Sequence, residues 1–197
     1  MRLIFLSIIL IFSGWTGTAQ KTKLKIAVAY FNPIDANLKK QLLDNIAATY
    51  NCTVSELPYS VKLPSYAYYS LRSRYRALVI LEYLDLIEGY DKVIGITTKD
   101  ICTPSNGIYD WGVMGLSSLP GQSCVISTYR MKTPNKKLFN DRFIKVALHE
   151  LGHAMGLSHC TFSRTCFMEA AEGTVKSVDR ETRSLCSNCK RLLNFSK

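Results

Sequence analysis

The distribution of apolar positions divides the chain into short β-rich runs and longer segments of helical period. Leu24–Phe31 is the first β-rich run and opens the folded region. Asp35–Tyr50 repeats apolar residues at helical spacing through Leu38, Leu42, Leu43, Ile46 and Ala47. Cys52–Leu57 reads as a second strand, and Tyr59–Tyr69 as irregular, broken at Pro64. A long helix is predicted over Ser70–Glu88, with Leu71, Tyr75, Leu78, Val79 and Leu86 on one face, interrupted there by Glu82. Lys92–Thr98 is a short apolar strand, and Asp100–Asp110 a turn-rich loop. Trp111–Ser117 and Ser123–Arg130 are strands joined closely enough, by Leu119-Pro120-Gly121-Gln122, to form a hairpin. A helix follows from about Lys136 to Met155 and stops at Gly156, because glycine accepts the left-handed conformation that helix ends favour. The segment from Ser177 to Phe195 is predicted helical. There is no repeat or low-complexity linker, and residues 20–197 read as one domain.

Into this pattern the chain places its three histidines within eleven residues: His149-Glu150-Leu151-Gly152-His153-Ala154-Met155-Gly156-Leu157-Ser158-His159. Residues four apart share a helical face, so His149 and His153 can hold one metal ion. A turn at Gly156 brings His159 back toward it. Three neutral imidazoles with one open position make a catalytic zinc site. Glu150 projects beside that site, where it would take a proton from a zinc-activated water as general base. The bland alternative, histidines that merely pack, requires Gly156 and His159 to fall in register by chance.

The N-terminus changes the setting. Arg2, the apolar run Leu3–Phe12 and the small residues ending at Ala19 form a secretory signal pattern, so residues 1–19 are expected to be removed. The run is too short to span a bilayer comfortably, which argues against a membrane anchor. The expected location is secreted or periplasmic, with no stable membrane insertion after cleavage. The chain carries a net charge of +10. Its basic residues are dispersed rather than interleaved with aromatics, so nucleic acid is not an expected partner.

Seven cysteines in an exported chain would ordinarily suggest disulfides. Four of them, Cys160, Cys166, Cys186 and Cys189, crowd the last quarter and end in a C-x-x-C pair. Four thiolates around one tetrahedral zinc account for them, and two disulfides are the competing reading. Cys102 and Cys124 are candidates for a further disulfide, with Cys52 left over.

Taken together, the histidine window, Cys160, Cys166-Phe167-Met168 and Cys186-Ser187-Asn188-Cys189 resemble the archaemetzincin branch of the metzincins. In that pattern the histidines are followed by C-x4-C-x-M-x17-C-x-x-C. Seventeen residues separate Met168 from Cys186 here, whereas five rather than four separate Cys160 from Cys166. Asp100, Trp111–Ser117 and Ser127–Arg130 are similar to the family more loosely. The resemblance implies an α/β (α+β) metzincin-like fold. A mixed twisted sheet would pack on long helices, and a small C-terminal subdomain would begin near residue 157, with a four-cysteine zinc site and a terminal helix. It implies two zinc ions per chain, one catalytic on His149, His153 and His159 and one structural on Cys160, Cys166, Cys186 and Cys189. Met168 becomes the methionine-turn residue beneath the first. The implied partner is a peptide or protein substrate, with short peptides and free N-termini among the candidates, lying along Trp111–Ser117 as an edge strand. Two other classes stay open: a zinc-stabilised binding protein without turnover, and a metal-dependent hydrolase of a non-peptide bond.

Overall fold

The computed structural model describes residues 23–170 and 174–195. The expected signal segment, residues 1–19, lies outside them. In chain order the elements are β1 (Lys25–Tyr30), α1 (Ala36–Tyr50), β2 (Thr53–Glu56), β3 (Tyr68–Tyr69), β4 (Arg74–Arg76), α2 (Ala77–Leu84), β5 (Lys92–Thr97), β6 (Ile101–Ser105), β7 (Ile108–Val113), β8 (Gly115–Ser117), β9 (Ser123–Ser127), α3 (Lys136–Ala154), α4 (Val175–Arg180) and α5 (Ser187–Phe195).

A five-stranded sheet in the order β2-β1-β5-β9-β8 forms the centre. β1, β2, β5 and β9 run parallel, and β8 closes one edge antiparallel to β9. The side-chain period of two sorts its residues between two cores. Ile26, Val28, Ile94, Ile96, Cys124 and Ile126 face the helices α1 and α3, with Leu42, Ile46, Ala147 and Leu151. Ala27, Ala29, Val93 and Val125 face α2, with Ile80, Leu81 and Leu84. Both faces are therefore covered, as parallel strands require. On the second face the close approach of α2 needs Gly95, where a Cβ would lie 2.7 Å from a methyl of Leu84. A smaller sheet, β3-β4-β6-β7, borders α2 through β4 and β6. The α/β architecture expected from the sequence is thus present. No helix among the described residues is long and apolar enough to cross a membrane.

Capping sets the helix starts on the first face. Asp35 accepts a hydrogen bond from the Leu38 amide at the head of α1, and Asn135 accepts one from Leu138 at the head of α3, both at 3.0 Å.

Several predicted boundaries are corrected. The Ser70–Glu88 helix is only α2; before it come a 3-10 turn (Ser70–Arg72), Ser73 with φ +51° and strand β4. Arg74 is fixed there by hydrogen bonds to the Asp100 carboxylate (2.9 Å) and the Asp110 carbonyl (2.6 Å). The buried stripe is Ala77, Ile80, Leu81 and Leu84, while Leu71, Leu78 and Leu86 are exposed. The loop expected at Asp100–Asp110 is the β6–β7 hairpin, turned by Asn106 and Gly107, both at positive φ as a two-residue type I′ turn demands. Trp111–Ser117 is split at Met114 between the two sheets, and Ser123–Arg130 leaves the sheet after Ser127. The C-terminal helix is two helices, parted by a segment in which Thr182 donates its amide to the Thr165 carbonyl (2.8 Å). Cys102 and Cys124 form no disulfide: both are buried, Cys102 on β6 of the small sheet and Cys124 on β9 of the large one.

Candidate metal centre and cleft

α3 brings His149, Glu150 and His153 to the β8 edge of the large sheet. Its last turn closes in a Schellman arrangement, with Gly156 (φ +94°) donating to His153 O at 2.8 Å and Leu157 to Gly152 O at 2.9 Å. The chain reverses there, and His159 returns to the other two histidines. The rings lie 4.6 to 5.3 Å apart between centroids, and one nitrogen from each falls within 4.8 Å of the others.

Two carbonyls fix the imidazole tautomers. His149 Nδ1 donates to Phe167 O at 2.6 Å and His153 Nδ1 to Leu157 O at 2.7 Å; since a carbonyl can only accept, both Nε2 atoms carry lone pairs. These two acceptors stand 3.0 Å apart with no proton to share. Such a contact is stable only around a cation, and ligands of a tetrahedral zinc at about 2.05 Å stand about 3.3 Å from one another. Burial, with the neighbouring His153, pushes His149 down to about 3, and burial also lowers His153 and His159. All three are neutral at pH 7, as metal ligation requires. The donor set therefore fits zinc.

Glu150 is buried, and burial raises its carboxyl to about 8; a dication beside it would draw that value down again. It lies directly against Gly115 of β8, where an added Cβ would fall 2.5 Å from Glu150 Cγ and 2.6 Å from Oε1. Gly115→Ala is accordingly expected to displace the carboxylate and lower catalytic turnover at least about 10-fold, with zinc content and melting temperature little changed; parallel rate and elemental measurements check this.

The cysteines gather on the far side of the turn. One sulfur from each of Cys160, Cys166, Cys186 and Cys189 lies within 4.8 Å of the others, and Cys160 and Cys186 are 3.7 Å apart. No disulfide joins them. The edge of a tetrahedral zinc–thiolate site with 2.3 Å bonds is about 3.8 Å, so this set also fits zinc. Amides of Phe162 and Cys186 donate to the sulfurs of Cys160 and Cys166, each at 3.4 Å, which favours thiolates. Burial raises the Cys166 and Cys189 thiols. Cys186 is lowered against its own burial by hydrogen bonds from Cys189, Cys160 and Cys166.

Met168 connects the two clusters. Its carbonyl accepts from the Cys160 amide at 2.7 Å, and its sulfur packs on Gly152, leaving no room for a side chain there. Beneath α3, the buried Tyr50 hydroxyl donates to Leu148 O at 2.5 Å. Gly152, Gly115 and Tyr50 are supporting residues that sequence reasoning passed over. A glycine between two histidines of one helix and another interrupting a strand were the available signals.

A cleft of about 740 Å³ runs along Trp111–Ser117 and takes in all three histidines and Glu150. Among the described residues β8 is paired on one side only, by β9, so its other edge is open. Arg130 lines the cleft against Gly112, with its Nε and Nη2 donating to the two oxygens of Asp100 at 2.8 and 2.9 Å.

Fold, histidine triad and cysteine cluster together define the metzincin type of zinc metallopeptidase. The model for peptidase family M54 matches residues 27–195, and the chain belongs to that family, the archaemetzincins. It is 32% identical over 177 residues to the archaemetzincin of Halobacterium salinarum, covering 85% of this chain and 98% of that one. The crystal structure of archaemetzincin from Methanopyrus kandleri superposes with a TM-score of 0.79 at 28% identity, over 91% of this chain and 98% of that one. That from Archaeoglobus fulgidus, complexed with malonate, gives 0.72 at 28% identity, over 85% and 99%.

Proposed function

We propose that the protein is a secreted or periplasmic zinc-dependent peptidase that hydrolyses peptide bonds with Glu150 as general base. The observation that carries this reading is the convergence of two tautomer-fixed imidazoles, a third histidine and a buried carboxylate beside an open strand edge. His149, His153 and His159 would hold the catalytic zinc, and Cys160, Cys166, Cys186 and Cys189 a second, structural one. When bound, the catalytic ion supplies Lewis acidity, polarising a carbonyl and acidifying a water.

The chain's own residues do the rest. The free edge of β8 offers backbone donors and acceptors to an extended peptide, which would lie as an added strand. Glu150, fixed against Gly115, takes a proton from the attacking water and delivers it to the leaving amine. The carbonyls of Phe167 and Leu157 hold the imidazoles of His149 and His153 in place throughout. Met168, packed on Gly152, supports the helix from below.

Secretion rests on the Arg2–Ala19 pattern; the mature protein, recovered outside the cytoplasm, should begin at Gln20, and an intact mass that retains residues 1–19 would sink that part. For the activity itself, the protein is incubated with a diverse peptide mixture and the cleavage sites are read by mass spectrometry. Cleavage is expected, abolished by a chelator such as 1,10-phenanthroline and restored by zinc. A mixture left intact by the zinc-loaded protein would refute the peptidase reading. The positions of the cuts separate endopeptidase from aminopeptidase.

A further inference from the structure

At the α4 end of the cleft stands a charged side chain that the mechanism above does not use. Glu181 lines the same cavity as the histidines. It is only 5% exposed, and its Oε1 is buried with no hydrogen-bond partner among the described residues. A carboxylate in that state is costly unless a positive charge or a proton reaches it.

Lys145 and Arg180 attract Glu181 through space, but the hydrogen bonds they make go to other groups. Lys145 on α3 pairs with Asp141 at 2.6 Å and donates to Val178 O at 3.1 Å. Arg180 donates to Glu169 at 3.4 Å, and Arg183 to Asp141 at 2.9 Å. Glu169 adds a second negative charge nearby. Burial, only partly offset by Lys145 and Arg180, pushes the Glu181 carboxyl up to about 7.

Apolar side chains share the cavity with it. Val175 and Val178 of α4 line the cleft together with Glu181, and Val146, one turn before His149 on α3, lines it as well. α4 is clamped to α3 by Arg142, whose Nε and Nη2 donate to the two oxygens of Asp179 at 2.7 Å each. One cavity thus brings apolar side chains, the three histidines and a buried carboxylate together. An alkyl stem with a cationic head is the side chain that suits it.

On the peptidase reading, we propose that Glu181 is the specificity residue of this cleft and receives a lysine or arginine side chain of the substrate at one of the two residues flanking the scissile bond. The ion pair forms in a desolvated pocket, where a hydrogen-bonded charge discriminates by about 10- to 100-fold over a neutral isostere.

The test uses the full-length mature, zinc-loaded protein and a peptide series carrying lysine, norleucine or glutamate at each flanking position. At one position lysine should exceed norleucine in kcat/KM by about 10- to 100-fold, with glutamate the poorest. Glu181→Gln should bring the lysine-to-norleucine ratio close to one. In parallel, binding of the same peptides is measured by calorimetry on the Glu150→Ala protein, with and without Glu181→Gln. There the lysine peptide should bind more tightly, and Glu181→Gln should remove the difference. Equal treatment of lysine and norleucine by the parent protein, or a lysine preference that survives Glu181→Gln, overturns the proposal. If no peptide is cleaved, the peptidase reading fails, and the binding comparison still decides the role of Glu181.

Discussion

Replacing Glu150 with Ala should lower peptide hydrolysis by about 10²- to 10⁴-fold, the range in which a positioned acid–base group contributes, with zinc still bound. The separation of the two effects follows from the geometry. The imidazoles of His149 and His153 are oriented by the carbonyls of Phe167 and Leu157, not by the carboxylate. Their hold on the metal therefore survives the substitution. Glu150 is buried against Gly115, so truncation leaves a cavity, and the isosteric Glu150→Gln serves as a packing control that should be equally inactive. Turnover on a peptide, elemental zinc and thermal unfolding are measured on the three proteins together. Activity in Glu150→Gln within a few-fold of the parent would remove Glu150 from the mechanism.

The second large effect concerns the cysteines. Cys189→Ser should release one zinc per chain and destabilise the C-terminal quarter severely. Binding of a structural zinc is worth about 10–16 kcal/mol in isolated zinc-finger peptides, comparable with the whole stability of a typical domain, about 5–15 kcal/mol. If the cluster holds zinc, losing most of that energy would remove an amount comparable with the stability of a typical domain. The damage should reach the histidines, because Cys160 follows His159 directly and its amide bonds to Met168 O at 2.7 Å. Expected outcomes are a fall in melting temperature of more than about 10 °C and weakened retention of the second metal. Thiol titration of the denatured parent under chelation supplies the control: all seven thiols reactive would support zinc, and three, with the cluster oxidised, would point to two disulfides instead.

What the sequence disclosed, and what it concealed, has a physical logic. The central strands were legible because their apolar runs are bounded and β-rich, and α3 because its cap and its terminal glycine are local signals. The histidine triad could be read because i, i+4 spacing and one glycine reversal suffice to bring its members together. The region from Ser70 to Asp110 was misread for the opposite reason. Arg74 is held in β4 by Asp100 and Asp110, partners far along the chain, which override a helix-like stripe that includes the exposed Leu71, Leu78 and Leu86. Asn106-Gly107 did carry a local hairpin signal, masked by the polar, proline-containing strand before it. Glu181 was invisible to pattern reading. Nothing in a Arg-Glu-Thr-Arg stretch suggests burial, and only the packing of α4 on α3 places that carboxylate at the cleft.

The account as a whole depends on a metal at the three histidines. Anomalous diffraction at the zinc absorption edge, from crystals of the purified protein, tests that most directly. Two peaks are predicted: one bonded at about 2.0–2.1 Å to nitrogens of His149, His153 and His159, and one at about 2.3 Å from the sulfurs of Cys160, Cys166, Cys186 and Cys189. No peak at the histidines in zinc-replete crystals, with the cysteines alone occupied, would contradict the central claim.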